Sequence, residues 1–334
     1  MPTDDIAPPY SNLTPDCILD ALQSIGLRGD GRLLALNSYE NRVYQIGIED
    51  AAPVIAKFYR PDRWSDAAIS EEHSFVQELA EQEIPVVSPL IVSEKSLHHF
   101  NGFRFAVYPR QSGRAPELDD ANSLEWIGRF MGRIHVVGVL KPFVERPALN
   151  FETFGVEPRD YLLANHFIPA DLLDAWQSVS AQALEGVRRC YTRAGEVKIL
   201  RLHGDCHAGN VLWSEEGKQS GPHFVDFDDA RMGPAIQDLW MLLSGERASM
   251  QIQLGHVLRG YEDFSEFDDR ELHLVEALRT LRLIHYSAWL ARRWHDPAFP
   301  AAFPWFNTQR YWQDRILELR EQIALMDEPA LVAK

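Results

Sequence analysis

Two short stretches constrain this chain more than any other feature: L-H-G-D-C-H-A-G-N at Leu202–Asn210 and F-V-D-F-D-D at Phe224–Asp229. Each follows or overlaps a strand-like apolar run, Val197–Leu202 and His223–Val225. Two strand-and-turn units are therefore predicted, with Asp205, Asn210 and Asp226 at their ends. An aspartate at a strand end can accept a hydroxyl proton, the part that falls to Asp205. Asn210 and Asp226 supply hard oxygens, which suit magnesium. That ion keeps several waters, so one amide and one carboxylate suffice when ATP phosphates fill other positions. An acidic surface turn would account for either stretch alone. Both together, in this order, predict phosphoryl transfer from Mg-ATP, and the five-residue step from Asp205 to Asn210 is that of a protein-kinase catalytic loop.

The rest of the chain divides into a strand-rich part and a helix-rich part. Thr14-Pro15 caps a helix whose Ile18, Leu19, Leu22 and Ile25 share a face. Strands are predicted near Leu33–Leu36, Val43–Ile48, Val54–Tyr59, Leu90–Val92 and Phe103–Tyr108, with a helix from about Ser65 to Gln82. Beyond Tyr108 helical periods dominate: Ser123–Val137, Pro158–Asn165, Ala170–Cys190, Ala235–Ser244, Met250–Tyr261, Asp269–Trp294 and Gln309–Leu325. The reading is an α+β, bilobed fold: an ATP-binding N-lobe over 1–108, a hinge at 109–113, and a helical C-lobe over 114–334. With 334 residues there is room for two cores.

Lysine is scarce, six of 33 basic residues, yet Lys57 lies inside the apolar run V-I-A-K-F-Y. An ammonium inside a strand needs a partner or a ligand, and the kinase position here sends its lysine to the α/β-phosphates. A glutamate of the following helix should hold it. Glu72 has the inward register with Phe75 and Leu79, while the adjacent Glu71 stays open. Asn37–Arg42 fills the place of a phosphate-covering loop but has no glycine; Ser38 and Asn41 remain as donors. Backbone groups of Ala106–Tyr108 are expected at the adenine edge.

Within the catalytic stretch, His203 reads as a structural brace. His207 either donates to phosphate or packs the loop, and Cys206 fills a tight turn, since reactivity requires a lowered pKa and exposure. Downstream, Asp228 is a possible second metal ligand and Asp229 a solvated or capping acid. Asp238 opens a helix after Gly233-Pro234. Only eleven residues lie between Asp226 and Asp238, too few for a long activation segment.

The balance of 33 basic against 49 acidic residues argues against nucleic acid or an anionic membrane as partner, since both need a basic face. Three cysteines without a C-x-x-C pair predict a reducing, cytoplasmic setting. No secretory leader is read in M-P-T-D-D-I-A-P-P-Y.

At H-G-D-C-H-A-G-N, V-D-F-D-D-A and G-P-A-I-Q-D-L-W the chain resembles the aminoglycoside phosphotransferase/choline kinase group of kinase-like enzymes. With L-N-S-Y-E-N-R-V-Y-Q, K-F-Y-R-P-D-R-W and D-P-A-F-P added, it resembles the bacterial stress response kinase A (RdoA/YihE) family over about Thr14–Trp312. That resemblance implies a cytoplasmic, monomeric Ser/Thr protein kinase acting in stress survival. By match, Asp205 is the proton acceptor, Asn210 and Asp226 bind Mg2+, and Ser38 lies in the ATP-contacting loop.

The acceptor side is expected in the aromatic tract between Tyr286 and Trp312, punctuated by Pro297, Pro300 and Pro304. Core packing and a wall of the acceptor groove are both open readings. A cationic small molecule could sit on such rings by cation–π contact; a peptide could as well. Three functions stand side by side: a Ser/Thr protein kinase, a small-molecule kinase favoured by the short activation segment, and a nucleotide-binding scaffold, disfavoured because the full residue set is present.

Overall fold

The computed structural model describes residues 8–215 and 220–333. The reading of a missing secretory leader falls mainly on residues 1–7, outside them. An amphipathic helix α1 (Pro15–Ser24) is started by Thr14, whose side chain accepts from the N–H of Cys17. Strands β1 (Gly29–Leu36), β2 (Arg42–Ile48), β3 (Ala51–Phe58), β4 (His98–Phe100) and β5 (Phe103–Pro109) form an antiparallel sheet in the order β1-β2-β3-β5-β4. Ile18, Ala21 and Leu22 of α1 pack on Ile46, Ala56, Phe58 and Phe105 of the sheet.

Between β3 and β4 runs α2 (Asp66–Glu81), capped by Ser65. Its Phe75, Val76 and Leu79 join the core of the helical part, so α2 bridges the two halves. The helical part comprises α3 (Ala121–Gly138), a π-turn at Glu152–Val156, α4 (Glu157–Ala164), α5 (Leu173–Ala194), α6 (Gln237–Trp240), α7 (Arg247–Tyr261), α8 (Val275–Arg292), α9 (Ala298–Ala302) and α10 (Gln309–Asp327). Two small antiparallel pairs lie inside it: β6 (Leu200–Leu202) with β9 (Arg231–Gly233), and β7 (Val211–Ser214) with β8 (Gly221–Phe224). This is the α+β, two-lobed architecture expected from the sequence.

Local expectations fare unevenly. The edge strand is His98–Phe100, not Leu90–Val92. Pro89 precedes Leu90, whose N–H makes a single bond to the Val107 carbonyl, and Ser93 and Glu94 turn the chain at positive φ. The helix expected over Ala235–Ser244 shrinks to one turn, because Leu242 and Leu243 bond three residues back, not four. The long Asp269–Trp294 helix splits into a 3-10 segment, Asp269–Leu274, and α8.

Candidate active site

The β7–β8 hairpin brings the metal-ligand candidates together. Its register pairs Val211 with Phe224, and the Val225 N–H donates to the Asn210 carbonyl at 3.0 Å. Asn210 at the start of one strand thus sits across from Val225-Asp226 at the end of the other. The Asn210 amide Nδ2 donates to the Asp205 carbonyl at 2.9 Å, which fixes its rotation. Asp226 occupies the left-handed region, φ 60 and ψ 62, uncommon for a residue with a side chain. An amide oxygen and a half-exposed carboxylate are donors of the hardness a divalent cation takes up beside phosphate and water. Among the described residues no three His, Cys, Asp or Glu converge to hold a metal by themselves.

The loop carrying Asp205 is held from beneath by Asp238. This buried carboxylate accepts from the N–H of His203 at 2.7 Å and of Gly204 at 2.8 Å, and meets His135 Nε2 at 3.2 Å. His203 braces the loop, as its position suggested: Nε2 donates to the Val225 carbonyl and Nδ1 accepts from the Asp205 N–H. Gly204 has φ +88, and a Cβ there would lie 2.0 Å from the Asp229 carbonyl, which explains a glycine before the aspartate. Cys206 is fully buried and burial pushes its thiol up, so it fills space. His207 Nδ1 accepts from the Gly209 N–H, and its Nε2 lies 3.6 Å from Asp205 Oδ2. The other Asp205 oxygen, Oδ1, accepts from Arg282 of α8 at 2.7 Å.

Lys57 of β3 reaches this site from the strand-rich lobe. Its Nζ lies 2.7 Å from Asp226 Oδ1 and 3.4 Å from Asp228 Oδ1. Burial opposes the charge, but the two aspartates hold the lysine well above its usual value. The expected Lys57–Glu72 ion pair is not formed. Glu72 of α2 is buried against Arg146, 3.3 Å away, although it still feels the Lys57 charge. The reason is Arg146, a fully buried guanidinium that needs a carboxylate. It also donates to the carbonyls of Ala68, Asp228 and Ala230, tying α2 to the turn after Asp226. Glu71 points elsewhere and accepts the N–H groups of Val144, Glu145 and Arg146.

Three further expectations need correction. Asp228 does not stand open as a second metal ligand: it is buried, bonded to Arg63 and to Asn41 Nδ2. Asp229 is not a solvated acid. It pairs with Arg63 at 2.8 Å and Arg231 at 2.6 Å, and although burial works the other way, these arginines hold its pKa well below the usual range. Tyr108 turns away from an adenine edge. The Tyr59 N–H donates to the Arg104 carbonyl while the Leu90 N–H donates to that of Val107. Along β5, even-numbered residues therefore face β3, Tyr108 among them. Its hydroxyl lies buried against Tyr59 at 3.0 Å.

The glycine-free loop before β2 packs on the helical lobe. Ser38 Oγ donates to the Asn41 carbonyl, and Asn41 Oδ1 accepts from the Arg60 N–H. Glu40 accepts from Trp289 Nε1 at 2.6 Å and pairs with Arg293 at 2.6 Å and Arg60 at 3.0 Å; Arg60 in turn binds Asp296 at 2.5 Å. The Tyr39 ring lies 4.8 Å from Phe303. Of the aromatic tract, Phe299, Phe303, Phe306, Tyr311 and Trp312 are buried in the core, while Trp305 is 46% exposed. Sequence reasoning missed Arg63, Arg146, Arg282 and Glu40. The first lies in K-F-Y-R-P-D-R-W, but nothing in its spacing announces a partner from another lobe.

The family described as "Phosphotransferase enzyme family" (APH) matches residues 32–275. Stress response kinase A of Escherichia coli (strain K12) is 44% identical over 322 residues, 96% of each chain. Serine/threonine protein kinase RdoA of Salmonella typhimurium (strain LT2) shows the same identity and coverage. Among solved structures, the amicoumacin kinase hAmiN, in complex with AMP-PNP, Ca2+ and Ami, superposes with TM-score 0.69 at 20% identity. It covers 91% of this chain and 90% of its own, a likeness of fold.

Proposed function

This chain belongs to the APH phosphotransferase enzyme family and is a kinase, and from that premise we propose that it transfers the γ-phosphoryl group of Mg-ATP to Ser or Thr hydroxyls of proteins. The observation that carries this reading is a run of contacts: Lys57 of the strand-rich lobe pairs with Asp226, the neighbouring Val225 N–H bonds the Asn210 carbonyl, and the Asn210 side chain bonds the Asp205 carbonyl. In the proposed reaction the acceptor oxygen forms its bond to phosphorus as the bond to the bridging oxygen of ADP breaks. The hydroxyl proton passes to the Asp205 carboxylate. Asn210 and Asp226 are the residues that would hold Mg2+, which would supply charge neutralisation during transfer, and Lys57 would add a fixed cation beside Asp226. The lobes are taken as residues 1–108 and 114–334, joined through 109–113.

A protein acceptor and a stress role are supported by the names of the relatives at 44% identity. We take the enzyme to be a cytoplasmic monomer; among the described residues no helix is long and apolar enough to cross a membrane. A second reading, a small-molecule kinase, is favoured by the short segment between Asp226 and Asp238. Incubation with radiolabelled Mg-ATP, a generic protein acceptor and a panel of amino alcohols, sugars and aminoglycosides separates them. Label recovered as phosphoserine or phosphothreonine supports the protein acceptor. Label confined to a metabolite overturns it, and no turnover with any acceptor removes the catalytic reading.

A further inference from the structure

The chain carries an excess of acid, which would steer a basic acceptor toward it. The charge beside Asp205 has the opposite sign. Arg282 of α8 donates from Nη1 to Oδ1, and His207 faces Oδ2. Arg282 is 41% exposed, and Asp205 is its one ion-pair partner among the described residues. A guanidinium is a planar fork with five N–H groups, so binding one carboxylate oxygen through Nη1 leaves donors for a second anion. One turn along α8, Tyr286 stacks on Trp289, and its hydroxyl lies within electrostatic reach of both Arg282 and Arg315 of α10. The carboxylate nearest that second arginine, Glu318, is already bonded to it. A lysine or arginine flanking the acceptor hydroxyl would therefore meet guanidinium at the place where the hydroxyl must approach Asp205.

We propose that Arg282 is an acceptor-reading residue: while orienting Asp205 it binds an anionic side chain close to the target hydroxyl, so the protein acceptor carries Asp or Glu beside its Ser or Thr. This rests on the protein-kinase reading and narrows it. The bound carboxylate bridges to the same guanidinium that holds Asp205, so binding and orientation of the base are coupled. Basic flanking residues lose that bond and add repulsion. A charge-assisted hydrogen bond on a partly exposed arginine corresponds to a preference of about ten- to a hundredfold.

The test uses the full chain with Mg-ATP and peptides that differ only in the residues beside one Ser: Asp, Ala or Lys. Steady-state kcat and KM are measured for the parent and for Arg282→Ala, Arg282→Lys and Arg282→Glu, with thermal midpoints to confirm folding. The parent should favour the Asp peptide over the Lys peptide mainly through KM. Arg282→Ala should abolish that ranking, Arg282→Lys should retain part of it, and Arg282→Glu should reverse it. A parent that ranks the peptides equally, or prefers Lys, overturns the proposal while leaving a protein kinase. An Arg282→Ala that lowers kcat by one factor for every peptide overturns it too, since Arg282 then only orients Asp205. Failure to label any peptide, with turnover of a small alcohol, sinks the protein-kinase reading and this proposal together.

Discussion

The candidate residues meet different partners, Asp205 with Arg282, Asp226 with Lys57 and Asn210 with the Asp205 carbonyl, so single substitutions should separate their roles. In Asp205→Asn the amide keeps volume and one acceptor oxygen but cannot take a proton. Nucleotide affinity by calorimetry should stay within a few-fold of the parent, because Asn210, Asp226 and Lys57 are untouched. Phosphate incorporation should fall roughly 10²–10⁴-fold, the usual contribution of a positioned acid or base. Near-parental transfer would remove Asp205 from the mechanism, and lost nucleotide binding would make it structural. For Asn210→Ala and Asp226→Ala a different readout matters. Each should raise the Mg2+ concentration for half-maximal rate, since each deletes one oxygen donor. Titration curves that overlay the parent would show that these oxygens do not touch the ion. Asp226→Ala carries an added effect, because Lys57 loses its nearer carboxylate and keeps only Asp228.

At the scale of elements, the joint between β3 and α2 sets a pH response. His73 of α2 is buried, with Nε2 2.7 Å from the Tyr59 hydroxyl and Nδ1 2.9 Å from Ser96 Oγ. Burial, then Lys57 and Arg146, push its pKa down to about 3. The unfolded imidazole titrates near about 6.5. A group depressed on folding contributes stability that is complete above the unfolded value and is lost as pH falls toward the folded one. His73 should therefore add a slope approaching ~1.4 kcal/mol per pH unit between those limits. The neighbouring Glu72 acts the other way: burial pushes it up to about 7 against the pull of Arg146 and Lys57, so it gains as pH falls from there. Comparing His73→Gln with the parent isolates the histidine. Urea unfolding at pH 6 and at pH 4 should show a shallower loss for the variant. Equal slopes in both proteins would mean that His73 takes its proton in the folded state at an ordinary pH.

Across the whole molecule, the two lobes are joined by ionic contacts as well as by the chain. Glu40 in the loop before β2 meets Arg60, Trp289 and Arg293, and Arg60 meets Asp296, all mostly removed from water. Breaking a buried ionic cluster from one side costs roughly 3–5 kcal/mol, because the remaining charges stay desolvated. Glu40→Ala should lower the thermal midpoint and raise amide exchange in two distant segments at once, residues 37–42 and 289–303. Faster exchange in the first alone would show that the clamp does not reach the helical lobe.

What the sequence determined by itself is what short-range chemistry determines. Thr14-Pro15 starts a helix, the spacing from Asp205 to Asn210 fixes a loop closed by its own backbone bonds, and the apolar runs around Phe224 set a hairpin register. Those are local, so the placement of Asp205, Asn210 and Asp226 beside short strands was legible, as were the inward register of Glu72 and the interior position of Lys57. Partner choice was not. Lys57 and Glu72 were expected to pair, but a buried guanidinium from residue 146 competes for the glutamate, and nothing near Glu72 in the chain shows it. Asp228 read as a possible second metal ligand and Asp229 as a solvated or capping acid until Arg63 arrives from the other lobe. Tyr108 read as an adenine contact until the β3–β5 register fixed which way its backbone faces. Long-range ion pairs and strand register depend on which surfaces meet after collapse, and only the tertiary structure decides that.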